Sequence, residues 1–200
     1  MPNAACPSCD SHSRQRALSL WLRNEFHLDE KQGVALVFAP ERALAPLWSA
    51  APHLRVFKTD IEPSRGVDLL ADVMHLPLAD QSVSVMWCHH VLEQVGDDKL
   101  ALREMYRVLQ PAGGVLLISA GLSAETETRE FGYSDPKLSG NRRSYGRDFS
   151  KRLEAAGFVV RTMKYDLSAR ELELYAVYPE TFFYCVRSDH TSGLLATKGS

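Results

Sequence analysis

Three runs decide the fold: Val83-Ser84-Val85-Met86-Trp87-Cys88-His89-His90, then Leu102-Arg103-Glu104-Met105-Tyr106-Arg107-Val108-Leu109-Gln110-Pro111-Ala112-Gly113-Gly114, then Val115-Leu116-Leu117-Ile118-Ser119. Val83 to Cys88 and Val115 to Ser119 are short apolar runs of strand length. Asp97 or Asp98 supplies an N-cap for a helix ending near Leu109. That helix carries Leu102, Met105 and Leu109 on one side and is stopped by Pro111. Ala112-Gly113-Gly114 is the turn back. Two strands apolar throughout, joined by a helix, predict parallel neighbours in a sheet covered on both faces.

The pattern extends in both directions. Upstream, Val34 to Phe38 reads as a first buried strand, with Pro40 at the start of a following helix. Arg55 to Lys58 and Val67 to Leu70 are two further strands. Ser13 to Leu28 places Leu18, Trp21, Leu22 and Phe26 on a helical stripe. Downstream, Asp148 to Ala156 reads as a helix closed by Gly157. Phe158 to Lys164 and Thr181 to Arg187 are the last strand candidates. The alternation predicts an α/β fold, a doubly wound and mostly parallel sheet with helices on both faces. Ligands of such sheets bind beyond the carboxyl ends of the strands. The residues of interest are therefore those just after each strand: Ala39-Pro40-Glu41, Asp60-Ile61, Asp72-Val73-Met74 and His89-His90.

Composition narrows the function classes. The 200 residues are 45% apolar and 24% charged with a formal charge of −2, an ordinary globular balance without a general pull toward nucleic acid. No apolar run approaches the roughly 20 residues that span a bilayer, and Met1-Pro2-Asn3-Ala4-Ala5-Cys6 lacks the pattern of a signal peptide. A cytoplasmic location is the expectation, with no membrane partner. Cys6, Cys9, Cys88 and Cys185 then read as thiols or metal ligands. Cys6-Pro7-Ser8-Cys9 has the gap of a zinc knuckle but is half a site, with His12 or Cys185 as conceivable further ligands; a reduced thiol pair is the alternative. Residues 1–30 form an N-terminal CxxC segment and helix, and 31–190 the main domain. Lys198-Gly199-Ser200 reads as a frayed tail. Gly121 to Arg147 is long for a connection; it is either a lid or acceptor-binding insertion or a solvated loop.

In order and spacing these segments resemble the class I S-adenosylmethionine-dependent methyltransferases. The run from Leu102 to Gly114 is similar to a stretch of the type 11 group, and the likeness covers roughly residues 34 to 120. The resemblance implies a seven-stranded Rossmann-like sheet and S-adenosyl-L-methionine as cofactor. It implies that Asp60 accepts from the two ribose hydroxyls, that Asp72 accepts from the adenine amino group, and that the backbone of Val73 or Met74 meets the adenine ring. Ile61 belongs to the same cofactor segment. His89 and His90 fall beside the transferable methyl. They are the candidate catalytic residues, although one packed and one solvent-facing histidine is an equally plain reading.

The first motif departs from the family. Phe38-Ala39-Pro40-Glu41 has none of the usual glycines, a loss that disfavours a pyrophosphate cofactor such as NAD. Glu41 is placed either to pair with the cofactor's ammonium or as an acidic residue at a helix start. Ser84 stands where relatives often carry Asp. The expected activity is methyl transfer to a small-molecule or peptide acceptor. The alternative is a catalytically inactive binding or regulatory protein on the same fold.

Overall fold

The computed structural model describes residues 5–63, 66–164, 168–177 and 181–189. Met1-Pro2-Asn3-Ala4 and the Lys198-Gly199-Ser200 tail lie outside them. Nine strands are described: β1 (Gly33–Phe38), β2 (Leu54–Asp60), β3 (Leu69–Leu70), β4 (Val85–His89), β5 (Val115–Ser119), β6 (Arg129–Asp135), β7 (Asn141–Ser144), β8 (Phe158–Lys164) and β9 (Thr181–Arg187). The helices are α1 (Ser13–Asn24), α2 (Ala45–Ser49), α3 (Asp98–Val108), α4 (Phe149–Ala155) and α5 (Ala169–Tyr175). Seven strands form one sheet in the order β3-β2-β1-β4-β5-β9-β8. The first five are parallel, while β9 runs antiparallel to both β5 and β8.

Residue parity along the strands sorts the core into two layers. Leu36 and Phe38, Met86 and Cys88, Leu116 and Ile118 join Leu102 and Met105 of α3 and Phe149 of α4 on one face. Ala35 and Val37, Val85 and Trp87, Val115 and Leu117 join Leu18, Trp21 and Leu22 of α1 and Trp48 of α2 on the other. A strand buried on both faces is apolar at nearly every position, and β4 and β5, polar only at their last residues His89 and Ser119, carry no alternation to solvent. α1 is thus a layer of the same fold as the sheet.

Several local readings hold. Asp97 caps α3, its Oδ1 accepting the Leu100 N–H at 3.0 Å. Gly157, with φ of +102°, follows α4, a conformation open to glycine. Ser84 Oγ donates to Gln110 Oε1 at 3.0 Å and accepts the Val34 N–H at 3.3 Å, a packing role between β1 and the turn before β5.

One reading is corrected. The helix after β1 does not begin at Pro40: the chain turns through Arg42 to Leu44 and α2 starts at Ala45, with Pro46 in its first turn. Pro40 follows a residue in the left-handed region, and the turn there is needed before a helix can form. The stretch 121–147 contains the antiparallel hairpin β6–β7, closed by a short 3-10 turn at Pro136–Leu138. Among the described residues no helix is long and apolar enough to cross a membrane.

Candidate active site

The carboxyl ends of β1 to β4 open on one cavity of about 420 Å³. Its walls include Phe38, Ala39, Thr59, Asp60, Ile61, Asp72, Val73, Met74, His90, Val91, Gln94 and Arg142. Of the expected residues, Ala39, Asp60, Ile61, Asp72, Val73, Met74 and His90 are therefore gathered around one space. Pro40, Glu41 and His89 are not among its lining.

Each element delivers its residue by the same local device. Ala39 donates its N–H to Thr59 O at 2.9 Å and His90 donates its own to Ser119 O at 3.0 Å, one last ladder bond past each strand. Both then turn at positive φ, +45° for Ala39 and +51° for His90. That region is costly for a side chain bearing a Cβ, and such residues cluster where function holds them. Asp60 ends β2, its Oδ1 accepting the Glu62 N–H at 3.0 Å. Asp72 Oδ1 accepts the Met74 N–H at 2.9 Å, which turns the chain after β3 and presents Val73 and Met74 to the cavity. Ile61 stands beside Asp60 with two thirds of its surface exposed, an apolar plate at the mouth.

Two partly buried carboxylate–histidine pairs flank this end of the sheet. His90 Nδ1 lies 2.9 Å from Glu93 Oε1, which also accepts the Gly121 N–H at 2.7 Å. Burial pushes the Glu93 carboxyl up, but these hydrogen bonds and the facing imidazole outweigh it and hold it below the ordinary glutamate value. A carboxylate is acceptor-only, so Nδ1 carries the hydrogen in the neutral ring and Nε2 keeps a lone pair. His90 Nε2 is buried and has no hydrogen-bond partner among the described residues. The second pair joins His89 Nδ1 to Glu41 Oε2 at 2.7 Å. Gln15 Nε2 donates to Glu41 Oε1 at 2.6 Å, and Gln15 Oε1 accepts the His12 N–H at 2.8 Å. Burial again opposes ionisation of Glu41, and the bonds from His89 and Gln15 with the nearby Arg14 charge overcome it. Glu41 is thus engaged with His89 and α1. It is neither an acidic residue of a helix start nor a member of the cavity wall.

Sequence reading missed Gln15, Glu93 and Arg142. His90 and Glu93 have the spacing of side chains that meet across one turn, which was a usable signal. Gln15 and Arg142 lie far along the chain from their neighbours at the site, and no local pattern marks them. At the N-terminus, Cys6 and Cys9 sit in a tight turn closed by the Ala5–His12 bridge. Backbone N–H groups of Cys9 and Ser8 hold the Cys6 thiol below its usual range. Cys185 is fully buried in the sheet core. Among the described residues no three His, Cys, Asp or Glu side chains come together as a metal site. Zinc at Cys6 and Cys9 therefore lacks its remaining ligands there.

Residues 48–118 match the family described as "Methyltransferase domain". The malonyl-(acyl-carrier protein) O-methyltransferase of Yersinia pestis is 38% identical over 74 residues, 37% of this chain and 27% of that enzyme. The chain thus spans about a quarter of that relative's length. Among solved structures, the 1,6-didemethyltoxoflavin-N1-methyltransferase of Burkholderia thailandensis, bound to 1,6-didemethyltoxoflavin and S-adenosylhomocysteine, superposes with a TM-score of 0.61. The identity is 16%, over 88% of this chain and 78% of that one. The (4+2)-cyclase SpnF gives a TM-score of 0.58 at 17% identity, over 88% of this chain and 80% of that one. At these identities the structural likenesses establish the fold.

Proposed function

We propose that this chain, whose residues 48–118 match a methyltransferase domain and whose fold is that of S-adenosylmethionine-dependent methyltransferases, is a class I methyltransferase of the type 11 group that binds S-adenosylmethionine beyond β1 to β4 and methylates a small-molecule or peptide-borne acceptor. One observation carries this reading: a single cavity gathers Asp60, Asp72 and His90 from the ends of three parallel strands. The residues fit the cofactor. Asp60 and Asp72 are acceptor-only groups suited to ribose hydroxyls and an adenine amino group, and Ile61, Val73 and Met74 offer apolar surface for the base. The backbone of Ala39, with only a methyl side chain, allows close approach after β1.

When bound, S-adenosylmethionine supplies a methyl carbon on a cationic sulfur, which keeps the electron pair of the broken bond. The chain's own part is to align and to handle one proton. His90, on the cavity wall, is the side chain proposed to take the acceptor's proton, and Glu93 keeps its ring in the Nδ1–H tautomer. Orientation alone accounts for much of the acceleration in such transfers. Glu41 and His89 act from outside the cavity, fixing the turn after β1 and the end of β4 to each other. The relative named for O-methylation of a malonyl group offers a precedent for an acceptor that bears a carboxylate.

Calorimetry tests this reading. S-adenosylmethionine and S-adenosylhomocysteine are expected to bind with one site per chain, and Asp60→Ala to weaken both by roughly tenfold or more, as loss of charged hydrogen bonds does. NAD is expected to give no heat. Silence with both adenosyl ligands would favour a binding or regulatory protein that keeps the fold. Unchanged affinity in Asp60→Ala would remove the ribose assignment.

A further inference from the structure

We infer that Arg142 is the anion-recognising residue of an acceptor subsite, so that the molecule methylated carries an oxyanion, a carboxylate or a phosphate, close to the atom that receives the methyl group. The inference rests on the methyltransferase reading above and adds the class of acceptor.

Arg142 lies on β7 and lines the same cavity as His90 and Gln94. It is half-buried, and its guanidinium makes no hydrogen bond or ion pair among the described residues. Arg107, Arg143, Arg152 and Arg187 each hold a carboxylate. Arg142 is set apart from them by facing a cavity. A cation withdrawn from water without a counter-charge is unfavourable, and a ligand that brings the counter-charge recovers that cost on binding. The planar guanidinium fork matches carboxylate and phosphate oxygens two at a time.

The group is also held in place. The Arg142 N–H donates to Glu93 O at 2.7 Å, so it is fixed to the residue whose side chain orients His90. Gln94 Nε2 donates to Ser139 O at 3.1 Å at the hairpin tip. Next along β7, Arg143 is buried and donates to Leu92 O, Val95 O and Gly96 O at 2.5, 2.7 and 3.2 Å. The anion receptor and the proton acceptor therefore share one rigid frame, and an acceptor anchored on Arg142 presents its nucleophilic atom within that frame. The cofactor's own carboxylate is the competing occupant.

The test uses the full chain labelled with ¹⁵N-arginine and saturated with S-adenosylhomocysteine. The Arg142 Nε–H resonance, assigned by its disappearance in Arg142→Gln, is followed while malonate, inorganic phosphate or neutral malonamide is added. A saturable shift is expected with an anion and none with malonamide; the tighter anion tells carboxylate from phosphate. Arg142→Gln is expected to weaken anion binding at least about tenfold, with Arg142→Lys in between. S-adenosylhomocysteine affinity is expected to stay within about threefold, which also shows that the variant is folded. No saturable response in the wild type, or equal anion binding in Arg142→Gln, overturns the inference. A tenfold loss of S-adenosylhomocysteine affinity in Arg142→Gln with anion binding retained also overturns it, assigning Arg142 to the cofactor. Failure of the wild type to take up S-adenosylhomocysteine is a failure of the methyltransferase reading instead, and the titration of the unloaded protein still reports on Arg142.

Discussion

At the scale of single residues, the site depends on which nitrogen of His90 carries a hydrogen. Glu93 decides this by accepting from Nδ1 while itself held by the Gly121 N–H. Glu93→Gln replaces an acceptor-only group with an amide that can donate, so the preference for the Nδ1–H tautomer is expected to collapse toward a mixture. Nitrogen chemical shifts of the His90 ring read this directly; an unchanged Nδ1–H signature would remove Glu93 from its positioning role. Affinity for S-adenosylhomocysteine is expected to change little, because Glu93 is not part of the cavity lining. Much of the cavity lining was legible residue by residue because Ala39, Asp60, Asp72 and His90 each follow a strand, and the carboxyl ends of the strands are where this topology opens its crevice. Glu41 could not be read correctly. Its partners, His89 and Gln15, are 48 and 26 positions away, and nothing local announces a buried side-chain pair.

Among the elements, the β6–β7 hairpin was the least legible. β6 is polar and largely exposed and β7 is polar and only four residues long, so neither has the apolar run that marked the central strands. What makes it a fixed element is a set of charged bonds at its base. Buried Arg143 ties it to three carbonyls after β4 and to Glu130 Oε2 at 3.0 Å. Asp98 at the start of α3 accepts from Arg152 Nη1 at 2.8 Å and from the Tyr145 hydroxyl at 2.9 Å. Arg143→Ala leaves buried carbonyls without donors and weakens this cluster. A loss of about 3 kcal/mol is expected, the usual scale for breaking a buried ionic network. Denaturant unfolding measures the loss, and faster exchange of the Arg142 amide locates it at the hairpin. A drop in stability with that amide still protected would mean that the hairpin does not depend on Arg143. By contrast α3 was readable almost to the residue, because its cap, apolar stripe and terminating proline lie within one short stretch.

For the whole molecule, the buried carboxylates tie stability to pH. Glu41 and Glu93 are held below the ordinary glutamate value in the fold, so each is more acidic folded than unfolded. Their contribution is complete above the unfolded value of about 4.3 and is lost as pH falls through the lower folded values. Urea midpoints are therefore expected to be flat near neutrality and to fall below about pH 4.5, with a shallower fall in Glu41→Gln, which has one fewer proton to take up. An identical acid slope in that variant would mean that Glu41 is not preferentially ionised in the fold. The same pair links layers: α1 reaches the turn after β1 through Gln15, and that turn reaches the end of β4 through His89. The centre of the sheet was legible because β1, β4 and β5 are apolar at nearly every position, as burial on both faces requires. The left-handed turn at Ala39 has a further consequence, in the currency of the genetic code. Any alanine codon becomes a glycine codon by one change at its second base, and glycine is the residue this backbone shape accepts without strain. Ala39 is thus a single mutational step from glycine, with the conformation that suits glycine already in place. That exchange needs no rearrangement of the turn.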